Sequence, residues 1–335
     1  MNFQVADFRR WVLRTPTGVG SLELQTTSMS VSLGSRDVLV RIRAASLNPR
    51  DLAIINNSFI QHLHPTPVKE SLIPGSDGAG VVLEVGSDVQ DFCVGDHVVT
   101  HIAAHLSDEA FATTDDMIQG LGQQRDGTKC EIGVFGDTAL VRMPKSLSFE
   151  EAATLTCSGL TAWNALPGHP GKVVHVGDHV LVQGTGGGSI AALQLAVAAG
   201  ATVVATTSNQ EKSSRLKDLG ASHIINYRTT KNWGQAAQDL TPESRGMDHV
   251  IDIGGYATLS QSIFATRPGG VLSVIGASGG FEGERPDILE VLFRGTSLRG
   301  IVPAVDDMTL ELKDLKAAIE RLRKGEHFSK IILRN

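Results

Sequence analysis

The chain has 335 residues, 41% hydrophobic and 20% charged, a composition that suits an ordinary globular protein long enough for two well-buried cores. With 30 Lys and Arg against 36 Asp and Glu the net charge is -6, and no basic block marks a surface for nucleic acid or anionic membrane.

The opening segment MNFQVADFRRWVLRTP breaks its apolar residues with polar or charged ones every few positions and offers no signal peptide. The most apolar run, SIAALQLAVAAGATVVATT, is interrupted by Gln194 and Gly200 and turns strand-like, which argues against a spanning helix. A cytoplasmic protein is the expectation. Cys93, Cys130 and Cys157 are widely spaced with no C-x-x-C pair, so neither a disulfide framework nor a structural zinc site is written here.

Residues 1–150 read as β-rich: SLELQTTSM, DVLVRIRAASL and GVVLEV run apolar or alternate between Gly, Pro and Asp breaks. From 151 the pattern changes to strands alternating with helices, which implies parallel βαβ units and an α/β class. Strands are predicted at 179–183, 202–207, 223–227, 249–255 and 271–277, with helices over 210–221 and 258–270. Near the end, in LELKDLKAAIERLRKG, Leu312, Leu315, Ile319 and Leu322 recur at helical spacing before a last strand, KIILR. Residues 303–335 are expected to pack back on the first domain, leaving 151–302 as the second.

The stretch VLVQGTGGGSIAALQLAVAAGATVVATT is the most informative. A strand ends at Gln183, the turn Gly184, Thr185, Gly186, Gly187, Gly188 follows, and a helix opens near Ser189. Such a turn lets backbone N–H groups approach a pyrophosphate at the positive end of a helix. Ser189 takes the place of the third glycine of G-x-G-x-x-G and is small enough for close packing. At the end of the next strand Thr207 and Ser208 stand where an NAD-selective site presents a carboxylate, while Lys212 and Tyr227 in NYR offer donors. This favours NADP(H).

These residues, with SLNPRDLAIINN, LIPGSDGAGVVLEVGSDVQDFCVGDHVV, EEAATLTCSGLTAWNAL, INYR and GEHFSKIIL, resemble the medium-chain dehydrogenase/reductase superfamily, most closely its zinc-free quinone oxidoreductase-like branch. The resemblance covers nearly the whole chain. It implies a GroES-like catalytic domain, a Rossmann domain with a cleft between them, and hydride transfer from a nicotinamide. It further implies cofactor contacts at Thr161, Gly254, Gly255, Ile275 and Gly276, and it puts Asn48 and Asp51 at the cleft floor; Ser76 and Asp77 are read as polar cleft residues or loop-fixing hydrogen bonders, and Cys157 as a site residue or a buried small side chain. Capping of a turn and a helix by Asn48 and Asp51 is the structural alternative.

In zinc alcohol dehydrogenases of the superfamily the ligands would stand in the places of Asn48, Ser76 and Cys157, and only Cys157 remains. No catalytic zinc is expected. His101 and His105, four apart, could share a helix face but lack a third ligand, and His62 and His64 fare no better. The expected substrate is a small hydrophobic carbonyl compound, quinone, enal or enone, and a homodimer is the family-based expectation. An alcohol/ketone dehydrogenase is the alternative within enzymes; a cofactor-binding protein with a structural, sensor or other non-redox role is the alternative outside them.

Overall fold

The computed structural model describes residues 2–57, 68–105, 113, 116, 118–168, 171–279, 285–301, 309–311, 315–316 and 329–334. Contacts divide the chain into two compact units, Met1–Cys157 with Val305–Asn335, and Ser158–Ala304. The break falls at Cys157 and not at 150, inside a π-helical turn, Leu155–Gly159.

Unit 1 begins with β1 (Asn2–Leu13) and β2 (Leu22–Ser32), an antiparallel ribbon paired from Asn2↔Ser32 to Leu13↔Leu22 with a register shift between Val5 and Phe8. There follow β3 (Asp37–Ser46), β4 (Asp77–Val85), β5 (His97–Thr100), β6 (Ile132–Gly136) and β7 (Leu140–Arg142). Unit 2 holds β8 (His179–Gln183), β9 (Thr202–Thr207), β10 (His223–Asn226), β11 (Met247–Asp252), β12 (Thr266–Val274) and β13 (Ser297–Gly300). The chain returns to unit 1 with β14 (Thr309–Glu311) and β15 (Ile332–Arg334).

The unit 1 sheet runs β14-β15-β3-β4-β5-β7, with β6 also on β3. Val38, Val40, Ile42, Val82, Val98 and Phe135 fill one of its cores. A second core sets Leu47, Ile54 and Ile55 against Leu315, Ile331 and Leu333, which fixes the end of the chain onto this unit. Each buried aliphatic side chain contributes ~2 kcal/mol.

The unit 2 sheet is parallel in the order β10-β9-β8-β11-β12-β13. This is a doubly wound order that reverses between β8 and β11, where such folds bind ligands beyond the strand ends. Val180, Leu181, Val182, Val203, Val204 and Ala205 are fully buried, as expected for strands covered on both faces.

Two predicted helices require correction. The helix expected over 258–270 is Leu259–Ala265, and β12 already begins at Thr266 and carries Pro268 and Gly269 within it. The tail helix expected from Leu310 cannot start there, because Thr309–Glu311 pairs in parallel with β15; Leu312, Ile319 and Leu322 lie outside the described residues.

Candidate active site

In unit 1 the chain leaves β3 at Ser46 and enters helix Pro49–Ile55. Asn48, extended at φ -128°, is the N-cap, Pro49 is pre-set for the first turn, and the Asp51 carboxylate accepts the Asn48 backbone N–H at 2.7 Å. The capping role of Asp51 is therefore real. The Asn48 side chain stands at the same cap, with its Nδ2 3.5 Å from Ser76 Oγ.

Ser76 and Asp77 sit at the start of β4, both fully buried. Ser76 Oγ donates to Asp77 Oδ1 at 2.6 Å, and the other Asp77 oxygen faces Lys330 Nζ at 3.4 Å and Ser46 Oγ at 3.4 Å. Ser46 Oγ also donates to the Ala153 carbonyl at 2.9 Å, and Thr100 Oγ1 donates to the Ser76 carbonyl at 2.7 Å. Lys129 donates to the Ser46 carbonyl, and a Cβ on Gly75, at φ +95°, would meet Lys129 Cε at 2.8 Å. Arg50 donates to Leu121 O at 2.9 Å and Gln123 Oε1 at 3.0 Å.

The charges of this cluster shape one another. Burial raises the Asp51 pKa, with Lys129 opposing, and burial lowers Lys129 and Lys330, with Asp51 and Asp77 opposing respectively. Burial also pushes the Cys157 thiol well above its ordinary value, with Asp77 adding to the shift. Asn48, Asp51, Ser76, Asp77 and Cys157 thus form one buried polar neighbourhood, joined by Lys129 and Lys330, which sequence reasoning missed.

A metal fits this neighbourhood poorly. An amide, a hydroxyl and one thiol stand where a zinc site needs thiolate or imidazole; the amide is hydrogen-bonded to the hydroxyl, and the hydroxyl to Asp77. Among the described residues no group of three or more His, Cys, Asp or Glu is placed to hold a metal ion. His101 and His105 do not share a helix face: their segment is irregular, His101 contacts the Thr138 carbonyl at 2.6 Å and His105 pairs with Asp116 at 2.8 Å. His62 and His64 lie outside the described residues.

In unit 2 the glycine turn stands at the C-terminal end of β8. Gly184 takes φ +69°, a region costly for residues with a Cβ, and its N–H donates to Thr206 O at 2.9 Å. Helix Gly187–Ala198 follows with Gly186 as N-cap and no side-chain cap, so its first N–H groups are not engaged by a capping side chain, and its first turn holds no acidic residue. Ser189 is 1% exposed and ties the turn to the strand by donating to Gln183 O at 2.6 Å, which explains a hydroxyl in the place of the third glycine.

Thr207 ends β9, 2% exposed, with Oγ1 accepting from Asn209 N at 3.3 Å, while Ser208 is half-buried. Tyr227 is exposed and its N–H donates to Thr207 O at 3.2 Å, which brings it to the same strand end; Lys212 lies in helix Gln210–Asp218, which begins just beyond. Gly254 and Gly255 follow β11, and Ile275 and Gly276 follow β12. Thr161 is buried in helix Leu160–Ala165. Sequence reasoning also missed Asp252, fully buried, which accepts from Gly255 N at 2.9 Å, Gln183 Nε2 at 3.0 Å and Thr258 Oγ1 at 2.8 Å and so holds the strand ends beside the turn. The turn, the free helix start and the absence of a carboxylate in it fit a dinucleotide pyrophosphate.

A GroES-like unit and a Rossmann unit with such a turn define a pyridine-nucleotide oxidoreductase class. The chain matches the alcohol dehydrogenase GroES-like domain over residues 34–145 and the zinc-binding dehydrogenase family over residues 188–322. It is 40% identical to a zinc-type alcohol dehydrogenase-like protein of Schizosaccharomyces pombe, over 91% of this chain and 89% of the relative. A crotonyl-CoA carboxylase/reductase of Cereibacter sphaeroides is 30% identical over 75% of this chain and 64% of its own length. The solved structure of a putative alcohol dehydrogenase from Sinorhizobium meliloti matches with a TM-score of 0.86 at 33% identity, covering 98% of this chain and 99% of that one. The chain belongs to the medium-chain dehydrogenase/reductase superfamily. Among the described residues no helix is long and apolar enough to cross a membrane.

Proposed function

We propose that the protein is a zinc-free, NADP(H)-dependent reductase acting on a conjugated C=C or carbonyl group of a small hydrophobic compound such as a quinone, enal or enone. The observation that carries this reading is the make-up of the unit 1 cluster, where hydrogen-bond donors and buried ammonium groups stand in place of metal-binding side chains. A reduced nicotinamide, when bound at the glycine turn, supplies hydride. Asn48 Nδ2 and Ser76 Oγ are the groups suited to hold a developing oxyanion by hydrogen bonds in a water-poor setting. The absence of a carboxylate at Thr207 and Ser208, with Lys212 and Tyr227 nearby, supports NADP(H) over NAD(H). The relative named for crotonyl-CoA supports a conjugated acceptor. The alcohol dehydrogenase names among the relatives favour a second reading, an alcohol/ketone dehydrogenase.

The test is NADPH oxidation by purified, chelator-treated protein with a panel of quinones, enals, enones and simple ketones, NADH being run in parallel. Turnover of conjugated acceptors with NADPH and weak turnover with NADH is the expected result. Turnover of simple ketones alone, or only after zinc is restored, favours the alcohol dehydrogenase reading. NADPH that binds and is never consumed overturns both and leaves a non-redox role.

A further inference from the structure

At the switch point of the unit 2 sheet, two neighbouring strands end on buried polar side chains. Val180, Leu181 and Val182 of β8 are apolar and fully buried, and Gln183 after them is 4% exposed, so an amide stands where the strand calls for another aliphatic side chain. Burying an amide is costly unless its donors and its acceptor are answered. Here all of them are. Gln183 Nε2 donates to Asp252 Oδ2 at 3.0 Å and to Ser262 Oγ at 2.6 Å, and Gln183 Oε1 accepts from Ile253 N at 3.2 Å. A flipped amide would set its oxygen against the Asp252 carboxylate and its NH2 against the Ile253 N–H, so these contacts admit one orientation.

The same residue touches both sides of the switch point. Its backbone carbonyl accepts from Ser189 Oγ at 2.6 Å, in the first turn of the helix after the glycine turn, and that turn begins with the next residue, Gly184. Its side chain holds Asp252 and Ile253, where β11 gives way to Gly254 and Gly255. Asp252 Oδ1 fixes this loop by accepting from Gly255 N at 2.9 Å, and the Ile253 carbonyl accepts from Ser278 N at 2.8 Å, which carries the tie to the segment after β12. A Cβ on Gly184 would meet Ile253 Cδ1 at 3.5 Å, so the turn and the loop lie side by side. In a doubly wound fold each half of the sheet receives one mononucleotide of the pair. The glycine turn, Thr207 and Ser208 belong to the half with β8 and β9; Gly254, Gly255, Ile275 and Gly276 belong to the half with β11 and β12.

We propose that Gln183 is a positioning residue that sets the spacing between the glycine turn and the loop after β11, and so lets one dinucleotide engage both halves of unit 2 at once. The proposal rests on the dinucleotide reading of this unit. Gln183 is buried and acts through Ser189 on one side and through Asp252 and Ile253 on the other. A ligand confined to one half does not sense the spacing, whereas a ligand that spans both binds only as well as the two loops are matched.

The test compares a spanning ligand with a one-sided ligand in the full chain. NADPH spans both halves, and 2′,5′-ADP carries only the adenosine with its two phosphates. Both Kd values are measured by calorimetry, and the emission of NADPH at saturation reports the seating of its dihydronicotinamide. Q183M keeps the length and flexibility of the side chain and removes the amide. It is expected to weaken NADPH about tenfold, to change 2′,5′-ADP less than about twofold, and to return the emission of bound NADPH toward that of the free cofactor. S262A removes a neighbour of the amide from helix Leu259–Ala265 and leaves Gln183 on Asp252 and Ile253. It is expected to lower stability in urea and to keep the ratio of the two Kd values at its wild-type level. Equal weakening of both ligands by Q183M, or no change in either, overturns the proposal and makes Gln183 a core partner of Asp252 alone. The same split in S262A overturns it too, because any loss of core contacts would then produce it. If Q183M does not fold, Q183N, whose stem is too short to reach both Asp252 and Ile253, decides on the same ratio. Should 2′,5′-ADP bind too weakly to titrate, the emission at saturation decides alone. Wild-type protein that binds neither ligand defeats the dinucleotide reading and the proposal with it, a result distinct from wild-type binding that Q183M leaves unchanged.

Discussion

Replacing Ser208 by Asp should turn the cofactor preference toward NADH. Ser208 follows the last residue of β9, and Thr207 beside it is too buried to accept a carboxylate, at 2% exposure. Gly184 N donates to Thr206 O at 2.9 Å, so the end of β9 lies one strand spacing, ~5 Å, from the glycine turn. A new carboxylate ~6 Å from a 2′-phosphate of charge about -2, at an effective dielectric constant of ~40, is repelled by ~3 kcal/mol. That corresponds to roughly a hundredfold in affinity. Salt screening at physiological strength reduces the effect to about tenfold or somewhat more. NADPH and NADH affinities by fluorescence titration, together with the ratio of kcat/KM values, are the readouts. NADPH should weaken by about 10- to 100-fold while NADH stays level or tightens through a hydrogen bond to the ribose hydroxyls. Equal weakening of both cofactors would refute the reasoning, because it would mean that the substitution disturbs the turn and that no 2′-phosphate is held at this strand end.

Three further outcomes are expected. D252A removes the acceptor of the Gly255 N–H and of the buried Ser262 hydroxyl and one of the acceptors of the Gln183 amide and the Thr258 hydroxyl in the interior of unit 2, a loss of about 3 kcal/mol that urea unfolding should read and an unchanged midpoint would contradict. A thiol reagent on the native protein should modify Cys93, which is exposed, and spare Cys130, whose pKa burial pushes up to about 12, and Cys157, pushed well up by burial too. One rapidly reacting thiol of the 3 present, and all of them in denaturant, is the expected count, whereas rapid labelling of two would show that a buried site opens. D51N probes the buried carboxylate by pH. Burial raises the folded pKa of Asp51 above its unfolded value, so its contribution to stability is fully present below about pH 4 and is lost as pH rises through the folded value. Asn does not titrate, so the melting temperature of D51N relative to wild type should climb between pH 4 and pH 8; a fall over that range would mean that Lys129, not burial, dominates.

The Rossmann strands were legible because parallel strands covered on both faces appear as continuous β-branched runs, and β8 and β9 coincide with HVLVQ and TVVATT. The first half of β12 was not legible. Its TRPGG reads as a helix end and a turn, yet Thr266 pairs with Met247 and the ladder resumes at Val271 after a register shift, so the breakers sit inside an irregularity that only the neighbouring strand defines. The start of the tail helix was misplaced for a related reason, while Leu315 and Lys316 are helical as the spacing predicts. Leu310 and Leu312 fit a period of two as well as one of 3.6, and what decides is pairing with Ile332–Arg334, a contact that local pattern cannot register.

The glycine turn and the Asn48–Asp51 cap could be found in the sequence because each is a local device whose residues are within a few positions of one another. Lys129 and Lys330 could not be found that way, since a lysine in isolation belongs on the surface, where its ammonium stays hydrated. Their interior place follows from charge balance across long sequence separations. Asp77 is fully buried and Asp51 is 2% exposed, and an interior carboxylate is costly unless a cation or several donors answer it. Two interior aspartates in unit 1 therefore call for interior cations, of which Arg50, hydrogen-bonded to Leu121 and Gln123, is one that acts on both, and lysines supply the others. The requirement falls on lysines whose stems can run through apolar surroundings, and Lys330, preceding Ile331, Ile332 and Leu333 in a strand that closes the core, meets it against Asp77. An interior carboxylate predicted from sequence should thus be followed by a search of the apolar strands for the lysine that answers it, and in this chain that search leads to Lys330, 3.4 Å from Asp77.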